Sequence, residues 1–317
     1  MDVIAIGESL VSFSSKPNGL LRHASSFVPK VAGSETNMLI GLSRLGHDTK
    51  WISSLGDDEL GKMILSTVRG EGVDTSEVLF DEFYQTGIFF KELVNETKVR
   101  VSYYRENSAA SQLSIDHLNE SSIAQAKYLF ITGITLALSE SCRNMIYKAI
   151  EIAKQNNVTV VFDPNLRKKL WSESMAKKVL LEIASRSDII LPGVNEGHFL
   201  LGTRNSQEIA EQLINAGNSM VVVKLGADGA YYATESQESF VNGYYIENVI
   251  DPVGAGDGFA AGLISGLLDE LSAKDSVKRA CIVGALATTV QGDFNGLPDR
   301  KMLSQLLNKS YKDEVQR

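Results

Sequence analysis

From residue 128 onward, the hydrophobic positions alternate between short apolar runs and longer amphipathic segments. The apolar runs predict strands at Tyr128–Thr132, Thr159–Asp163, 188–192 and Met220–Lys224. Segments such as 141–155 and 206–216 carry apolar residues at helical spacing and predict helices between the strands. Short apolar strands that alternate with helices predict a mainly parallel sheet covered by helices on both faces.

The N-terminal third contains a segment that breaks this alternation. Residues 88–94 and 99–104 are rich in β-forming residues and flank the polar pair Asn95 and Glu96. This is the pattern of a β-hairpin with a short turn. Because a hairpin interrupts the alternation of strands and helices, we expect it to belong to a separate small sheet.

The chain before this hairpin follows the strand and helix pattern again. A first strand is predicted at Val3–Ile6 and another at 50–52. Between them an apolar run predicts a helix at 38–45, which Gly46 ends.

Composition and charge limit the classes of partner. The chain has 317 residues and 44% of them are hydrophobic, which suits a soluble protein with a sizeable core. Its net charge of −8 argues against nucleic acid or an anionic membrane as a partner. We expect a cytoplasmic protein, because no stretch is long enough to cross a bilayer and the chain opens on a strand rather than a secretion signal. Cys142 and Cys281 lack metal-ligand spacing and are expected to be buried thiols.

The segment 251–263 carries the most informative motif of the chain. It begins with turn-forming residues and continues into an apolar, alanine-rich run that predicts a helix. Gly254, Ala255 and Gly256 leave backbone N–H groups uncovered at the positive end of that helix, which predicts an anion site. Asp257 lies inside that site. A carboxylate beside a bound phosphate suits a base that deprotonates a hydroxyl, although capping of the helix is the alternative role.

Two other glycine motifs are excluded. A dinucleotide fingerprint requires a third glycine where this chain has Phe259, so a hydride-transfer enzyme is the weakest interpretation. The segment 56–62 approaches a P-loop, but Met63 stands where Ser or Thr is required. Three acidic residues in that loop would also repel a polyphosphate.

Polar residues follow several predicted strands at their carboxyl ends. They are Asp163, Asn165 and Arg167 after one strand, Asn195 and Glu196 after the next, and Lys224, Gly226 and Gly229 after a third. Ligands of open α/β sheets bind at this edge. We therefore expect these residues near a ligand, while a cap at Asn195 and a simple β-turn after Lys224 are the structural alternatives.

The order of these motifs resembles that of the ribokinase-like carbohydrate kinases over nearly the whole chain. The early Ala32-Gly33-x-x-x-Asn37 is similar to the family's sugar-binding signature. The later Asp251-x-x-Gly-Ala-Gly-Asp257 is similar to its catalytic signature.

The resemblance implies a particular architecture. The fold class would be α/β, a Rossmann-like ribokinase fold with a mainly parallel sheet, helices on both faces and a small β-sheet lid. Residues 1–317 would form a single kinase domain. The lid would come from about 10–32 and about 86–110.

The resemblance also implies a phosphotransferase that uses ATP and Mg²⁺ as cofactors. Asp257 would accept the proton of the attacking hydroxyl, and the amides that follow Gly254, those of Ala255, Gly256 and Asp257, would hold the developing negative charge. The predicted nucleotide-binding residues are Asp163, Asn165, Arg167, Asn195, Lys224, Gly226, Gly229, Gly254 and Gly256.

One position departs from the family pattern. Where the family usually has Pro-Asn-x-x-Glu, this chain has Gly193 in place of the asparagine and keeps the acid as Glu196. We expect Glu196 to act on Mg²⁺ indirectly, through water. Magnesium is still expected, because the charge of the triphosphate must be screened.

Within the family, the motifs at 103–111 and 163–171 look most like those of 2-keto-3-deoxygluconate kinases. That substrate carries a carboxylate, which a guanidinium can bind in two places, so Arg105 and Arg167 are its candidate partners. The alternative for Arg105 is an ion pair with a nearby carboxylate. Neighbouring strand residues point to opposite faces, so only one of Tyr103 and Tyr104 can face the sugar. The predicted sugar-binding residues are Gly33, Ser34, Asn37, Phe89, Tyr103, Tyr104, Arg105, Arg167 and Asp257.

Two further functions stay open at this point. The same motifs occur in fructokinases, so a fructokinase or another neutral-sugar kinase is the first alternative, and its affinity would not depend on a substrate carboxylate. A non-catalytic sugar- or nucleotide-binding regulator is the second, and it would bind sugar without forming ADP. The expected lid would expose an unpaired strand edge and apolar surface, which predicts a homo-oligomer that covers it.

Overall fold

The computed structural model describes residues 1–16, 19–95 and 98–315. Its strands are β1 (Val3–Ile6), β2 (Leu10–Lys16), β3 (Ser26–Ala32), β4 (Thr49–Gly56), β5 (Asp74–Asp81), β6 (Ile88–Asn95), β7 (Lys98–Tyr104), β8 (Tyr128–Thr132), β9 (Thr159–Asp163), β10 (Ile189–Ile190), β11 (Met220–Lys224), β12 (Gly229–Thr234) and β13 (Glu238–Asn242). Its helices are α1 (Ser34–Arg44), α2 (Glu59–Gly70), α3 (Glu120–Ala124), α4 (Gly133–Leu138), α5 (Glu140–Gln155), α6 (Glu173–Arg186), α7 (Val194–Leu201), α8 (Ser206–Asn215), α9 (Ala255–Leu268), α10 (Ala273–Ala287) and α11 (Arg300–Val315). Among these described helices, none has both the length and the apolar character needed to cross a membrane.

The larger sheet is mainly parallel. Within the described residues it has nine strands in the order β13-β12-β11-β10-β9-β8-β1-β4-β5. All neighbours from β11 to β5 are parallel, whereas β12 and β13 add an antiparallel hairpin at one edge. The predicted fold class is confirmed. The edge hairpin was not predicted, because β12 follows β11 through a short turn with no helix between them.

Alternate residues of the central strands enter two separate cores. In β1, Ala5 packs on the face covered by α1, α2, α9 and α10, while Ile4 and Ile6 pack on the face covered by α4, α5, α6 and α8. Both faces of these strands are therefore apolar, as expected for a parallel sheet between two helical layers.

The smaller sheet has the order β3-β2-β6-β7. Strands β6 and β7 pair antiparallel, which confirms the predicted hairpin, while residue 96 of its expected turn lies outside the described residues. One face carries a small apolar cluster of Leu10, Ala32 and Phe89. The opposite face carries an aromatic group, namely Phe13, Phe27, Phe90 and Tyr104.

Several element boundaries differ from the predicted ones. Helix α1 begins at Ser34 rather than at residue 38, because its first turn is polar yet buried and apolar periodicity does not mark it. Strand β10 has two residues rather than five. Helix α9 ends at Leu268, and the left-handed conformation of Glu270, with φ of 57°, turns the chain away from the helix.

Candidate active site

Two adjoining cavities lie at the carboxyl ends of the parallel strands. The first, of about 410 Å³, is bounded by the main sheet and the small sheet. The second, of about 520 Å³, lies beside α9 and α10. Lys224, Pro252 and Gly256 line both cavities, so the two spaces meet at the start of α9. This is the edge at which the sequence predicted a ligand.

Asp257 faces the first cavity from the first turn of α9. Its carboxylate accepts hydrogen bonds from Ser34 Oγ at 2.6 Å and from Asn37 Nδ2 at 2.7 Å. Ser34 in turn accepts a hydrogen bond of 2.8 Å from Asn165 Nδ2. The structure thus brings residues of the two signatures and of the segment after β9 into one hydrogen-bonded group.

Burial raises the pKa of the Asp257 carboxyl above its usual value. The hydrogen bonds from Ser34 and Asn37 and the charges of Arg167 and Lys224 act in the opposite direction, but the net shift is upward. A carboxylate with a raised pKa is a stronger base, which suits the removal of a proton from a hydroxyl near neutral pH.

The backbone at the start of α9 has the geometry of a candidate anion site. Gly254 adopts φ of 84°, and a Cβ built on it would lie 1.9 Å from the carbonyl oxygen of Asp293, so only glycine fits there. The first N–H groups of the helix have no intrahelical acceptor. That of Ala255 contacts the carbonyl of Pro252 at 3.4 Å. Gly256 lies where the two cavities meet and leaves open space beside Lys224 Nζ. Ala255 lines only the second cavity.

Lys224 and Asp163 form a buried ion pair at the same place. Lys224 Nζ lies 2.6 Å from Asp163 Oδ2. Burial raises the pKa of Asp163 to about 6 even though Lys224 lowers it. Burial lowers the pKa of Lys224, but the neighbouring carboxylates of Asp163, Glu196 and Asp257 raise it more. The pair places the Lys224 amino group where the two cavities meet.

Glu196 lines the first cavity and is held in place by backbone amides. It accepts hydrogen bonds from the N–H of Leu166 at 2.8 Å and from the N–H of Gly193 at 2.7 Å. Because that bond uses the backbone of Gly193, loss of the usual asparagine side chain does not displace Glu196. In the described part of the chain no cluster of His, Cys, Asp or Glu forms a metal cage. The carboxylates present, Glu196 and Asp163, fit a magnesium ion that is held mainly by a nucleotide's phosphates.

Asn195 lies away from both cavities, contrary to its predicted nucleotide role. It is exposed on α7 and accepts a hydrogen bond of 2.6 Å from Arg204 Nη1. The side chains of Asn195 and Glu196 point in different directions from the helix, and only that of Glu196 reaches the first cavity.

The remaining predicted sugar-binding residues, with one exception, line the first cavity. They are Gly33, Ser34, Asn37, Phe89, Tyr103, Arg105 and Arg167. The exception is Tyr104, which is 64% exposed and contacts Phe90 on the opposite face of the small sheet. Strand alternation thus favours Tyr103, which packs on Phe89 inside the cavity.

Arg105 is paired with Glu8, which stands in no motif that marks it as functional. Its guanidinium forms an ion pair with Glu8, which also accepts a hydrogen bond of 2.5 Å from Ser108 Oγ. Both members of the pair are buried. The guanidinium also lies over the ring of Tyr103, 5.5 Å from its centroid. The positive charge in this wall of the cavity is therefore partly balanced by Glu8.

The second cavity is mostly apolar, and most of its wall was not predicted. Lys224, Gly226, Gly229 and Gly256 were expected there and are present. The unexpected residues come from the segment after β13 and from α10 and its C-cap, namely Tyr244, Tyr245, Ile246, Val249, Cys281, Gly284, Ala285 and Thr288. Apolar walls with a few polar groups suit a flat heterocyclic base. Their sequence pattern is that of ordinary core residues, so it gave no signal.

A family model supports the resemblance seen in the sequence. The model described as pfkB family carbohydrate kinase matches residues 1–300. A 2-dehydro-3-deoxygluconokinase of Bacillus subtilis (strain 168) is 39% identical over 310 residues, covering 97% of this chain and 96% of the relative. Fructokinase-1 of Zea mays is 32% identical over 318 residues, covering 97% of this chain and 98% of the relative.

Solved structures have the same fold. The crystal structure of a PfkB protein from Polaromonas sp. JS666 has a TM-score of 0.88 and 38% identity, and the match covers 96% of this chain and 99% of that one. An E. coli protein solved in complex with ATP and Mg²⁺ has a TM-score of 0.89 and 24% identity, with 97% and 99% covered. At that identity the second likeness shows the fold alone.

Proposed function

The chain belongs to the pfkB family of carbohydrate kinases, and we propose that it phosphorylates the primary hydroxyl of 2-keto-3-deoxygluconate (2-dehydro-3-deoxygluconate) with ATP. The observation that carries this proposal is the position of Asp257. Its buried carboxylate is held by Ser34 and Asn37 in the first cavity, directly beside the anion site that opens on the second.

Family membership confirms the predicted enzyme class and the predicted cofactors. The chain is a carbohydrate kinase, that is, a phosphotransferase with an alcohol group as acceptor, and ATP and Mg²⁺ are the cofactors expected of such an enzyme. The identity of the sugar is a finer question and belongs to the proposal.

In the proposed mechanism the sugar occupies the first cavity and the nucleotide base the second. The oxygen of the primary hydroxyl attacks the γ-phosphorus, the bond from that phosphorus to ADP breaks, and the hydroxyl proton passes to Asp257. The N–H groups at the start of α9 and the Lys224 ammonium stabilise the negative charge on the transferred group. When bound, Mg²⁺ supplies charge screening of the triphosphate, with Glu196 as an indirect contact.

The sugar acid is favoured by both the relatives and the cavity. The relative at 39% identity is a 2-dehydro-3-deoxygluconokinase, whereas the fructokinase is at 32%. Arg105 and Arg167 line the first cavity, where they could bind the substrate carboxylate.

Fructose is the second candidate, and one observation favours it. Glu8 already balances the charge of Arg105, and a neutral sugar needs no net positive wall. Glu8 and Arg105 would then bind sugar hydroxyls as acceptor and donor. A regulator without catalysis is disfavoured because Asp257 and the anion site are intact.

We further propose that residues 1–317 form one kinase domain, with the small sheet as a lid over the first cavity. The aromatic group on the outer face of that sheet includes Phe27 at 40% and Tyr104 at 64% exposure. Such a face favours a homo-oligomer in which a second copy covers it. A monomer in light scattering would contradict the proposed homo-oligomer.

A cytoplasmic location is proposed from the two buried free thiols.

The proposed function is tested by ADP release from the purified protein with MgATP and either 2-keto-3-deoxygluconate or fructose. We expect kcat/KM to be at least about 10-fold higher for the sugar acid, since a charge-assisted contact contributes about 1.5–3 kcal/mol. NMR of the product should place the phosphate on the terminal carbon. A preference for fructose would overturn the substrate, and release with neither sugar would overturn the kinase proposal.

A further inference from the structure

The small sheet is tied to the rest of the protein across the first cavity by lysine contacts. Lys30 on β3 donates to the carbonyl of Gln291 at 2.6 Å, and Lys169 donates to the carbonyl of Val101 on β7 at 3.3 Å. Both of these contacts are exposed. The third contact, made by Lys91 on β6, is different because it is an ion pair shielded from solvent.

Lys91 Nζ binds both oxygens of Asp251. The distances are 2.8 Å to Oδ1 and 2.7 Å to Oδ2. The side chain of Lys91 is 15% exposed and that of Asp251 is 7% exposed. Lys91 lies two residues after Phe89 on the same strand, so both side chains face the first cavity and line it.

Asp251 is fixed to the body of the protein at the segment that leads into α9. Its N–H donates to the carbonyl of Thr288 at 3.2 Å. Its carboxylate also accepts from the N–H of Val253 at 3.3 Å and of Gly292 at 3.4 Å. Three residues later Gly254 packs closely against the backbone of Asp293, and the amides of the candidate anion site follow.

We propose that the Lys91–Asp251 ion pair is a latch that holds the small sheet closed over the first cavity and positions the 251–254 segment beside the γ-phosphoryl group. This inference rests on the proposed kinase function and adds a positioning pair to it. The Lys91 ammonium binds Asp251 rather than the Asp257 base. It acts through Asp251, which connects the sheet that covers the sugar with the amides that receive the phosphoryl charge.

Two physical reasons make the pair important for the reaction. A closed lid excludes water, which would otherwise compete with the sugar hydroxyl as acceptor. In addition, an unpaired Asp251 would leave a buried negative charge close to an anion site, where it would repel phosphate. Without the latch, the oxygen of water attacks the γ-phosphorus, the bond to ADP breaks, and phosphate and a proton are released without sugar phosphate.

The test is to quantify ADP and sugar phosphate separately in single reactions of the wild-type protein and three variants. In the wild type, the two products should form in a ratio near one. Lys91→Met should lower kcat by about 10- to 100-fold and raise the ratio to at least about two. Lys91→Arg keeps the charge and should restore a ratio near one. The exposed lid residue Lys16 provides the matched control Lys16→Met, which should behave as the wild type.

A Lys91→Met variant with an unchanged kcat and a ratio of one would overturn the latch. The latch would also be overturned if Lys91→Met lowered the melting temperature and kcat but kept a ratio of ADP to sugar phosphate of one. That pattern would indicate a structural role alone. If Lys91→Met does not fold, Asp251→Asn removes the same ion pair with little change in volume and should give the same excess of ADP.

The latch also has a readout that does not depend on turnover. Amide hydrogen exchange of β2 and β6 should be at least about 10-fold faster in Lys91→Met than in the wild type, with α5 unchanged. Equal exchange would contradict the latch. If the wild type shows no sugar-dependent turnover but this exchange difference is present, the proposed function fails and the latch stands.

Discussion

Asn37 donates a hydrogen bond of 2.7 Å to Asp257, although 220 residues separate them in the chain. Asn37 lies in the first turn of α1 and Asp257 in the first turn of α9, and these helices pack side by side on one face of the main sheet. The two sequence signatures are therefore the two halves of one site. The amide of Asn37 fixes the orientation of the carboxylate that is proposed to receive the substrate proton.

Replacement of Asn37 by alanine tests this relationship. A lost hydrogen bond to a charged group costs about 1.5–3 kcal/mol, so kcat should fall by about 10- to 100-fold. Because the lost donor stabilised the ionised form, the pKa of Asp257 should rise further. The acid limb of kcat/KM should then move to higher pH. Asn215→Ala, at an exposed position of α8, is the control, and an unmoved acid limb in Asn37→Ala would contradict the assignment.

The glycine at the start of α9 allows a paired comparison. Gly254 and Gly202 have nearly equal backbone angles, φ of 84° and 85°, but a Cβ on Gly254 would overlap Asp293 while Gly202 has open space. Gly254→Ala should lower kcat by about 100-fold or more, since it displaces the anion-site amides. Gly202→Ala carries the same backbone strain, about 1–2 kcal/mol of stability, and should leave kcat unchanged. Equal kinetic effects in steady-state assays would argue against an anion site at α9.

Variants of the Arg105–Glu8 pair distinguish the effect of Arg105 on substrate binding from its effect on stability. Arg105→Ala should raise KM for 2-keto-3-deoxygluconate by about 10-fold or more and change KM for fructose little. It should also lower the free energy of unfolding by about 3 kcal/mol, because Glu8 is left buried and unpaired. The double variant Glu8→Gln/Arg105→Ala should regain much of the stability in denaturant unfolding but not the affinity. Equal KM changes for both sugars would indicate that Arg105 does not bind the carboxylate.

Glu35 should make stability depend on pH. Burial raises its pKa to about 7, although Thr132 and Thr135 donate hydrogen bonds to Oε1 at 2.7 and 2.9 Å. Its ordinary pKa is 4.5, so between about pH 4.5 and 7 the folded state binds more protons than the unfolded state. The contribution of Glu35 to the free energy of unfolding should then fall as the pH rises through that window, by on the order of 3 kcal/mol. Urea unfolding at several pH values should show this decline in the wild type relative to Glu35→Gln. Parallel pH profiles would contradict it.

The fold was largely predictable because apolar residues recur along the chain in the patterns typical of strands and helices. Three of the strands after residue 128 have the predicted bounds, β8, β9 and β11, since parallel strands buried on both faces are continuous apolar runs. The first turn of α1 was missed because its buried residues are polar. Apolar periodicity cannot mark a helix end that is built for a site.

The site was predictable only where a residue belongs to a motif. Asp257, Asn37 and Lys224 stand in recognisable patterns and meet in the structure as expected. Glu8 and Lys91 were missed, because their importance comes from partners distant in sequence, Arg105 and Asp251. Strand alternation required either Tyr103 or Tyr104 to face away from the first cavity. Only the packing in the structure shows that Tyr104 is the one that does.

The central claim is most directly tested by ADP release from Asp257→Asn with MgATP and 2-keto-3-deoxygluconate. Asparagine keeps the size of the side chain but cannot accept the proton, so kcat should fall by about 100- to 10,000-fold. Sugar binding, measured by calorimetry, should change only a few-fold. The exposed residue Asp116 supplies the control, since Asp116→Asn should keep full activity. Turnover by Asp257→Asn near the wild-type rate would contradict the proposed role of Asp257 as the base.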